Sequence, residues 1–273
     1  MTSCLTVLSV SDRFEHRVLE LDWETRECLR VFEGHGGVVL SAVYSSDGQR
    51  ILSASRDETC REWDRETGKC LHVYEWHYRW FCGALYSKSG QRILAYGVGA
   101  IVEWDRETGE SLRIYDGYTI LSASYSEDER RILSVASDNT VREWDCETGE
   151  CIHVFKGHSG RVHSAKYSKD EQRVLSSSRD CTVREWSRKT GKCLRIYRNP
   201  ESAIIRALYS SDGERMIFIS QDRTISEWDK KSGSRIRSVP ILSGINIVGC
   251  DFSDCDFQEA ALKSIMRAFG GKV

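Results

Sequence analysis

From about residue 36 to residue 239 the chain repeats one pattern: short runs of β-branched and aromatic residues, each broken by a cluster of turn residues. Runs of this length and alternation predict strands, four to every stretch of about 41 residues. Trp63, Trp104, Trp144, Trp186 and Trp228 mark the period, at spacings of 41, 40, 42 and 42 residues. Asp follows each of them except Trp186, which Ser187 follows, and a turn such as Thr67-Gly68 or Ser232-Gly233 comes next. His35, His77 and His158 stand about 27 residues before three of the Trp residues. A second mark recurs as Tyr44-Ser45, Tyr86-Ser87, Tyr125-Ser126, Tyr167-Ser168 and Tyr209-Ser210, followed by a polar turn and Arg-Ile-Leu or a near equivalent. No helical period is convincing before Phe257. A fixed period of this size predicts an array of like supersecondary units.

The ends complete the count. Residues 5–9, 17–22 and 28–32 read as three strands, and Glu24-Thr25-Arg26-Glu27-Cys28 matches Glu66-Thr67-Gly68-Lys69-Cys70, which puts Leu21 at the Trp position. This N-terminal unit lacks only its first strand. Residues 249–254 match residues 41–46, the first strand of a complete unit. Pairing the two chain ends in one sheet would satisfy edges that otherwise stay open. Beyond it, Leu262, Ile265, Met266 and Phe269 fall at helical spacing, with Asp256 and Glu259 before them and Gly270-Gly271 after. A short amphipathic helix is expected there, either a cap on the body or a docking element. A pentapeptide β-coil, suggested by the spacing of Cys250 and Cys255, has too few pentads to bury a core.

Gly34-His35 with Trp63-Asp64, and Gly157-His158 with Trp186-Ser187, resemble the signature of the WD-repeat β-propeller family. The resemblance covers roughly residues 1–254. It implies an all-β fold: a six-bladed propeller, its first blade closed by three N-terminal strands plus one C-terminal strand, with residues 255–273 as a helical tail. In the family, the histidine, a hydroxyl, the Trp and a turn Asp form a buried hydrogen-bond chain within each blade. That assigns His35, Ser55, Asp57 and Trp63 to one chain, and His158, Ser178, Asp180 and Trp186 to another. The pattern decays elsewhere, with Val98 in place of Asp, and Tyr118 and Asn199 in place of His. One departure is consistent. The residue before Trp is usually aliphatic in the family, and here it is Glu20, Glu62, Glu103, Glu143, Glu185 and Glu227. Arg50, Arg92, Arg131, Arg173 and Arg215 precede five of these by 11 or 12 residues, close enough on a hairpin for a diagonal pair. The alternative is a Glu at a frayed, wet strand edge.

Composition narrows the function. Of 273 residues 40% are hydrophobic and 10% aromatic, which excludes a disordered polar chain. Charge is balanced, 39 Lys+Arg against 41 Asp+Glu, so binding of nucleic acid by bulk electrostatics is not expected. No apolar run approaches the ~20 residues of a membrane helix, and the N-terminal stretch makes a poor signal peptide. Eleven Cys, an odd number at low density, suit a reducing compartment, and a cytoplasmic location is expected. Cys28, Cys70, Cys151 and Cys193 open the outer strand of four units, too far apart for a metal site and expected as small buried thiols. No phosphate loop, dinucleotide fingerprint or nucleophile elbow occurs. No catalytic set, metal or cofactor is therefore expected.

What remains is a binding surface. In WD-repeat proteins partners most often meet the face bearing the loop before each first strand. The resemblance carries this face to Leu40, Cys82, Leu121, His163, Ile205 and Val248, to Val38, Trp80, Thr119, Arg161, Ala203 and Asn246, and to Arg56, Gly97, Ser137, Arg179 and Gln221. Apolar residues with Arg are the composition of interaction hot spots. Within the aromatic segment 74–81, Trp80 is expected to be exposed and Trp76 to fill a gap between blades. The expected function is a non-enzymatic scaffold or sensor that binds a protein or peptide. Such near-identical units also resemble the recognition regions of bacterial multidomain signalling or defence ATPases. An enzyme or small-ligand binder using the central channel is the alternative.

Overall fold

The computed structural model describes residues 6–10, 16–22, 25, 27–76, 79–210 and 213–240. Their strands pair antiparallel in six sheets that follow one another as propeller blades. Blade 1 holds β1 (Thr6–Val10), β2 (Val18–Asp22) and β3 (Cys28–Phe32). Blade 2 holds β4 (Val39–Tyr44), β5 (Arg50–Ser55), β6 (Thr59–Asp64) and β7 (Cys70–Glu75). Blade 3 runs through β8 (Phe81–Tyr86), β9 (Arg92–Gly97), β10 (Ala100–Asp105) and β11 (Ser111–Asp116). Blade 4 has β12 (Ile120–Tyr125), β13 (Arg131–Ala136), β14 (Val141–Asp145) and β15 (Cys151–Phe155). Blade 5 has β16 (Val162–Tyr167), β17 (Arg173–Ser178), β18 (Thr182–Ser187) and β19 (Cys193–Arg198). Blade 6 has β20 (Ile204–Tyr209), β21 (Arg215–Ser220), β22 (Thr224–Asp229) and β23 (Arg235–Pro240). The fold is a six-bladed β-propeller. The expected C-terminal strand at 249–254 and the helix beyond 255 lie outside the described residues.

Apolar contact runs between blades. In blades 1 to 5 an aromatic of the outer strand packs on the next blade's Trp: Phe32 on Trp63, Tyr74 on Trp104, Tyr115 on Trp144, Phe155 on Trp186 and Tyr197 on Trp228, with ring centroids 5.7–6.4 Å apart. Trp63 and Trp186 are fully buried, so each indole N–H needs an acceptor. It finds Ser53 and Ser176, each at 2.8 Å. His35 continues the chain, with Nε2 at 2.7 Å from Ser53 and Nδ1 at 2.8 Å from Asp57. His158 repeats it with Ser176 and Asp180, both at 2.8 Å. The hydroxyls expected in these chains, Ser55 and Ser178, instead donate to Gly37 O and Gly160 O. Register gives the reason: Ile51 stands opposite Trp63, so Ser53 lies one diagonal step from the indole and Ser55 two. In blade 6, Asn199 follows Tyr197 by two residues, as Gly34 follows Phe32, which leaves Pro200 at the histidine position. Asn199 is buried and donates to Ser220.

The recurring Glu is buried in five blades, which excludes the wet-edge reading there. Its in-blade Arg partners hold as expected in four: Arg50 with Glu62 (3.2 Å), Arg92 with Glu103 (2.8 Å), Arg173 with Glu185 (3.0 Å) and Arg215 with Glu227 (2.6 Å). Arg131 departs, pairing with Asp145, its direct cross-strand neighbour. Glu143 is drawn the other way, into blade 5, by the Tyr167 hydroxyl (3.1 Å) and Arg188 Nε (2.5 Å). This link across blades recurs. Glu20 accepts from Tyr44 (3.1 Å) and Arg65 (2.7 Å), and Glu62 from Tyr86 (2.9 Å) and Arg106 (2.7 Å). Glu185 accepts from Tyr209 (3.1 Å), whose ring lies under Lys230. At Glu103 the following blade supplies Tyr125 (2.6 Å) and has Cys146 at the cation's place; Arg92 and Tyr115 fill in. Burial first, then the Glu charge, pushes the Tyr86 and Tyr125 phenols up, so they remain donors.

Candidate functional site

One face of the ring carries the loop before each first strand and the turn between the second and third strands. Backbone bonds tie the two: Arg56 N donates to Val38 O (2.9 Å), Val98 N to Trp80 O (3.2 Å), Ser137 N to Thr119 O (2.8 Å), Arg179 N to Arg161 O (2.8 Å) and Gln221 N to Ala203 O (2.9 Å). In blade 3 the turn is one residue shorter than in blade 2, so Val98, not the expected Gly97, makes the bond of Arg56. Gly99 there holds φ +82°, and a Cβ on it would meet Arg79 Nη1, so the guanidinium packs directly on glycine backbone.

Each complete first strand bulges one residue after it starts, against the second strand. The ladder passes from Val39 to Ser41, Phe81 to Gly83, Ile120 to Ser122, Val162 to Ser164 and Ile204 to Arg206. Leu40, Cys82, Leu121, His163 and Ile205 are the residues left out of register. A bulge frees its extra residue from the pleat and re-aims the side chain. All five are partly exposed while the residue before each is buried. Sequence spacing pointed to these positions without the bulge that sets them apart.

Of the remaining expected residues that are described, all are at least partly accessible except Gly97, which is buried. Trp80 is 46% exposed, and the Arg56 guanidinium lies over its ring at 5.5 Å from the centroid. Val38 is partly exposed, and Arg161 and Arg179 are exposed. They stand in blade 5, three blades on from blade 2, so the ring places these two sets on opposite sides of the channel mouth. Trp76 is partly buried against the core shared by blades 2 and 3, as expected of a gap filler. Missed by sequence reasoning is Tyr118, 58% exposed with Arg142 over its ring at 5.1 Å. Its place where His stands in blades 2 and 5 was the available signal. Positions 246 and 248 lie outside the described residues.

The turn carboxylates face inward. Asp57 accepts from His35, Gly36 N and Thr59, and Asp180 from His158, Ser159 N and Thr182. Burial works to raise Asp180, but hydrogen bonds from Thr182 and His158 outweigh it and hold the carboxyl at about 2. His158 is pushed below the ordinary imidazole range by burial, against the pull of Asp180. His163 is lowered by burial and then by the guanidinium groups of Arg161 and Arg179. Chemically the face offers apolar contact and cations. Among the described residues no three His, Cys, Asp or Glu side chains gather where they could hold a metal. The described cysteines are free thiols, and Cys28, Cys70, Cys151 and Cys193 are exposed, not buried as expected, because they open strands at the outer rim.

The family described as WD domain, G-beta repeat matches residues 26–64, 109–145 and 149–187. Each match begins at the outer strand or the turn before it and ends with the next Trp pair. The vegetative incompatibility protein HET-E-1 of Podospora anserina is 46% identical over 46 residues, 17% of this chain. The chain spans only 3% of that protein's length. Repeat period, blade topology and these matches agree: the chain belongs to the WD-repeat family, whose propellers serve as scaffolds for protein–protein interaction.

Proposed function

We propose that the bulged face is the docking surface for a protein or peptide partner, and that the chain is a non-enzymatic recognition module. The observation that carries this reading is the bulge repeated in five first strands. It re-aims Leu40, Leu121, His163 and Ile205 around the face that also carries exposed Trp80 and its Arg56. Trp and Arg at the centre of an apolar, partly exposed surface are the residues that dominate association energies. Membership of a larger signalling or defence assembly, in the cytoplasm, fits the HET-E-1 match, where the 46 matched residues are 3% of a much longer chain named for vegetative incompatibility. Affinity capture with mass spectrometry tests the reading. Trp80→Ala with Arg161→Ala should abolish capture of the partners seen with wild type and leave the melting temperature within a few degrees. Unchanged capture of every partner refutes it. Turnover of a substrate that survives both changes and is lost on altering a channel residue would establish an enzyme instead.

A further inference from the structure

The charges of this face are unevenly spent. Its turn carboxylates are occupied: Asp57 and Asp180 by the histidine chains, Asp138 by Arg142 (2.6 Å) and Thr140 (2.6 Å), and Asp222 by Thr224 (2.8 Å). The guanidinium groups of Arg161 and Arg179 have no ion-pair partner among the described residues, and that of Arg56 lies over the Trp80 ring. Arg161 and Arg179 are held side by side by the backbone bond between them, with the bulged His163 next along the strand. After burial, both cations lower the proton affinity of that imidazole, in keeping with positive potential at this edge of the channel mouth. The chain as a whole carries a formal net charge of −2, so this concentration is local.

We propose that the segment bound here is acidic: its carboxylates are received by Arg161 and Arg179 beside His163, and an apolar side chain lies against Trp80 across the mouth. The proposal rests on the reading of this face as the docking surface and adds the chemistry of the occupant. Two exposed guanidinium groups, borne on backbones joined by one hydrogen bond, can each form charge-assisted, two-point hydrogen bonds with carboxylates. The apolar bulge residues between the poles exclude water from the contact.

Fluorescence anisotropy at low salt provides the test. The probes are a fluorescein-labelled short peptide of Asp and Glu around a central Leu-Phe pair, its twin with every carboxylate replaced by the amide, and labelled oligothymidine. The wild-type chain should bind the acidic peptide about tenfold or more tightly over the amide twin, with the difference shrinking as salt rises. Arg161→Gln with Arg179→Gln should reduce acidic-peptide affinity to that of the twin. No binding of the acidic peptide, equal binding of the two peptides, unchanged affinity in the Arg variant, or tighter binding of oligothymidine would each overturn the proposal. If it falls while Trp80→Ala with Arg161→Ala still stops partner capture, the docking face stands and only its preference for acid is wrong. If capture is also unchanged, the face itself is wrong.

Discussion

Arg188→Ala tests the link between blades 4 and 5. Glu143 is 2% exposed, and its Oε1 accepts from both Tyr167 and Arg188 Nε. Removing the guanidinium leaves a buried carboxylate with one neutral donor, and breaking such a pair costs about 3–5 kcal/mol. Proton uptake limits the loss. Protonating a Glu of ordinary acidity (~4.3) at pH 7 costs about 3.7 kcal/mol, so the expected deficit at pH 7 is about 3 kcal/mol and no more than that ceiling. The sign of its pH dependence follows. In the variant the folded carboxyl binds a proton more readily than the unfolded one, so stability rises as pH falls. The deficit should shrink by up to about 1.4 kcal/mol per pH unit between 7 and 5. Arg188→Leu with Glu143→Leu should cost far less, because no charge is stranded. Arg131→Ala, whose partner Asp145 is partly exposed, should cost below about 1 kcal/mol. Urea midpoints across this pH range decide. An Arg131→Ala loss equal to that of Arg188→Ala, or a deficit that ignores pH, would refute the assignment.

The depressed proton affinity of His158 means that the folded chain binds protons there less readily than the unfolded one. Its contribution to stability is therefore complete above about pH 6.5 and is lost as pH falls through the lowered value, so His158→Gln should flatten the decline in urea midpoint between pH 7 and 5; an unchanged slope contradicts this. At the register position where blade 2 pairs Ser41 with Ala54, blade 3 pairs Gly83 with Tyr96, and a Cβ on Gly83 would lie 2.4 Å from the Tyr96 hydroxyl oxygen. Gly83→Ser should cost about 1–3 kcal/mol and combining it with Tyr96→Ala should recover most of the loss, whereas additive losses would show that the two positions do not trade volume.

Blade number, strand order and the face carrying the candidate site were legible because they depend on features local to each unit: the Trp period, the turn residues and the alternation of apolar positions. Errors arose where two like residues share a face. Ser53 and Ser55 are both serine and both point to the same side of β5, and only the register with Trp63 separates them. The Glu partners were half legible. An in-blade Arg lies one diagonal away on a hairpin, which spacing reports. Tyr86 and Arg106 reach Glu62 from another blade, across 24 and 44 residues, and that approach depends on the angle between sheets. Their recurrence at fixed places in the unit was visible, but not what they met. Bulges leave no mark in residue type at all: Leu40, Cys82, Leu121, His163 and Ile205 share position, not chemistry.

The same clamp argument reaches the seam where the ring must close. Between successive blades from 1 to 6 a Glu meets the Tyr hydroxyl of the following blade. An Arg or Lys joins that Tyr at every one of these interfaces, from the following blade except at Glu103, where Arg92 of its own blade does so. Glu227 of blade 6 is instead held within its own blade by Arg215 (2.6 Å) and Arg237 (2.5 Å), and its side chain is 12% exposed where those of the other five are 2–4%. In the repeat register blade 1 offers Trp23 at the position of Arg65, and the expected C-terminal strand offers Phe252 at the position of Tyr44; both lie outside the described residues. Phe has no donor and Trp only a neutral indole N–H, so in the repeat register neither residue type reproduces the hydroxyl and cation that clamp the other interfaces. Trp23→Arg with Phe252→Tyr should install them and raise stability by about 1–2 kcal/mol, read as an upward shift in urea midpoint, with Glu227→Gln cancelling the gain. A gain that survives Glu227→Gln would come from some other contact. No gain at all would mean that residues 249–254 do not supply the first strand of blade 1, and with that the closure of the ring by its two ends would fail.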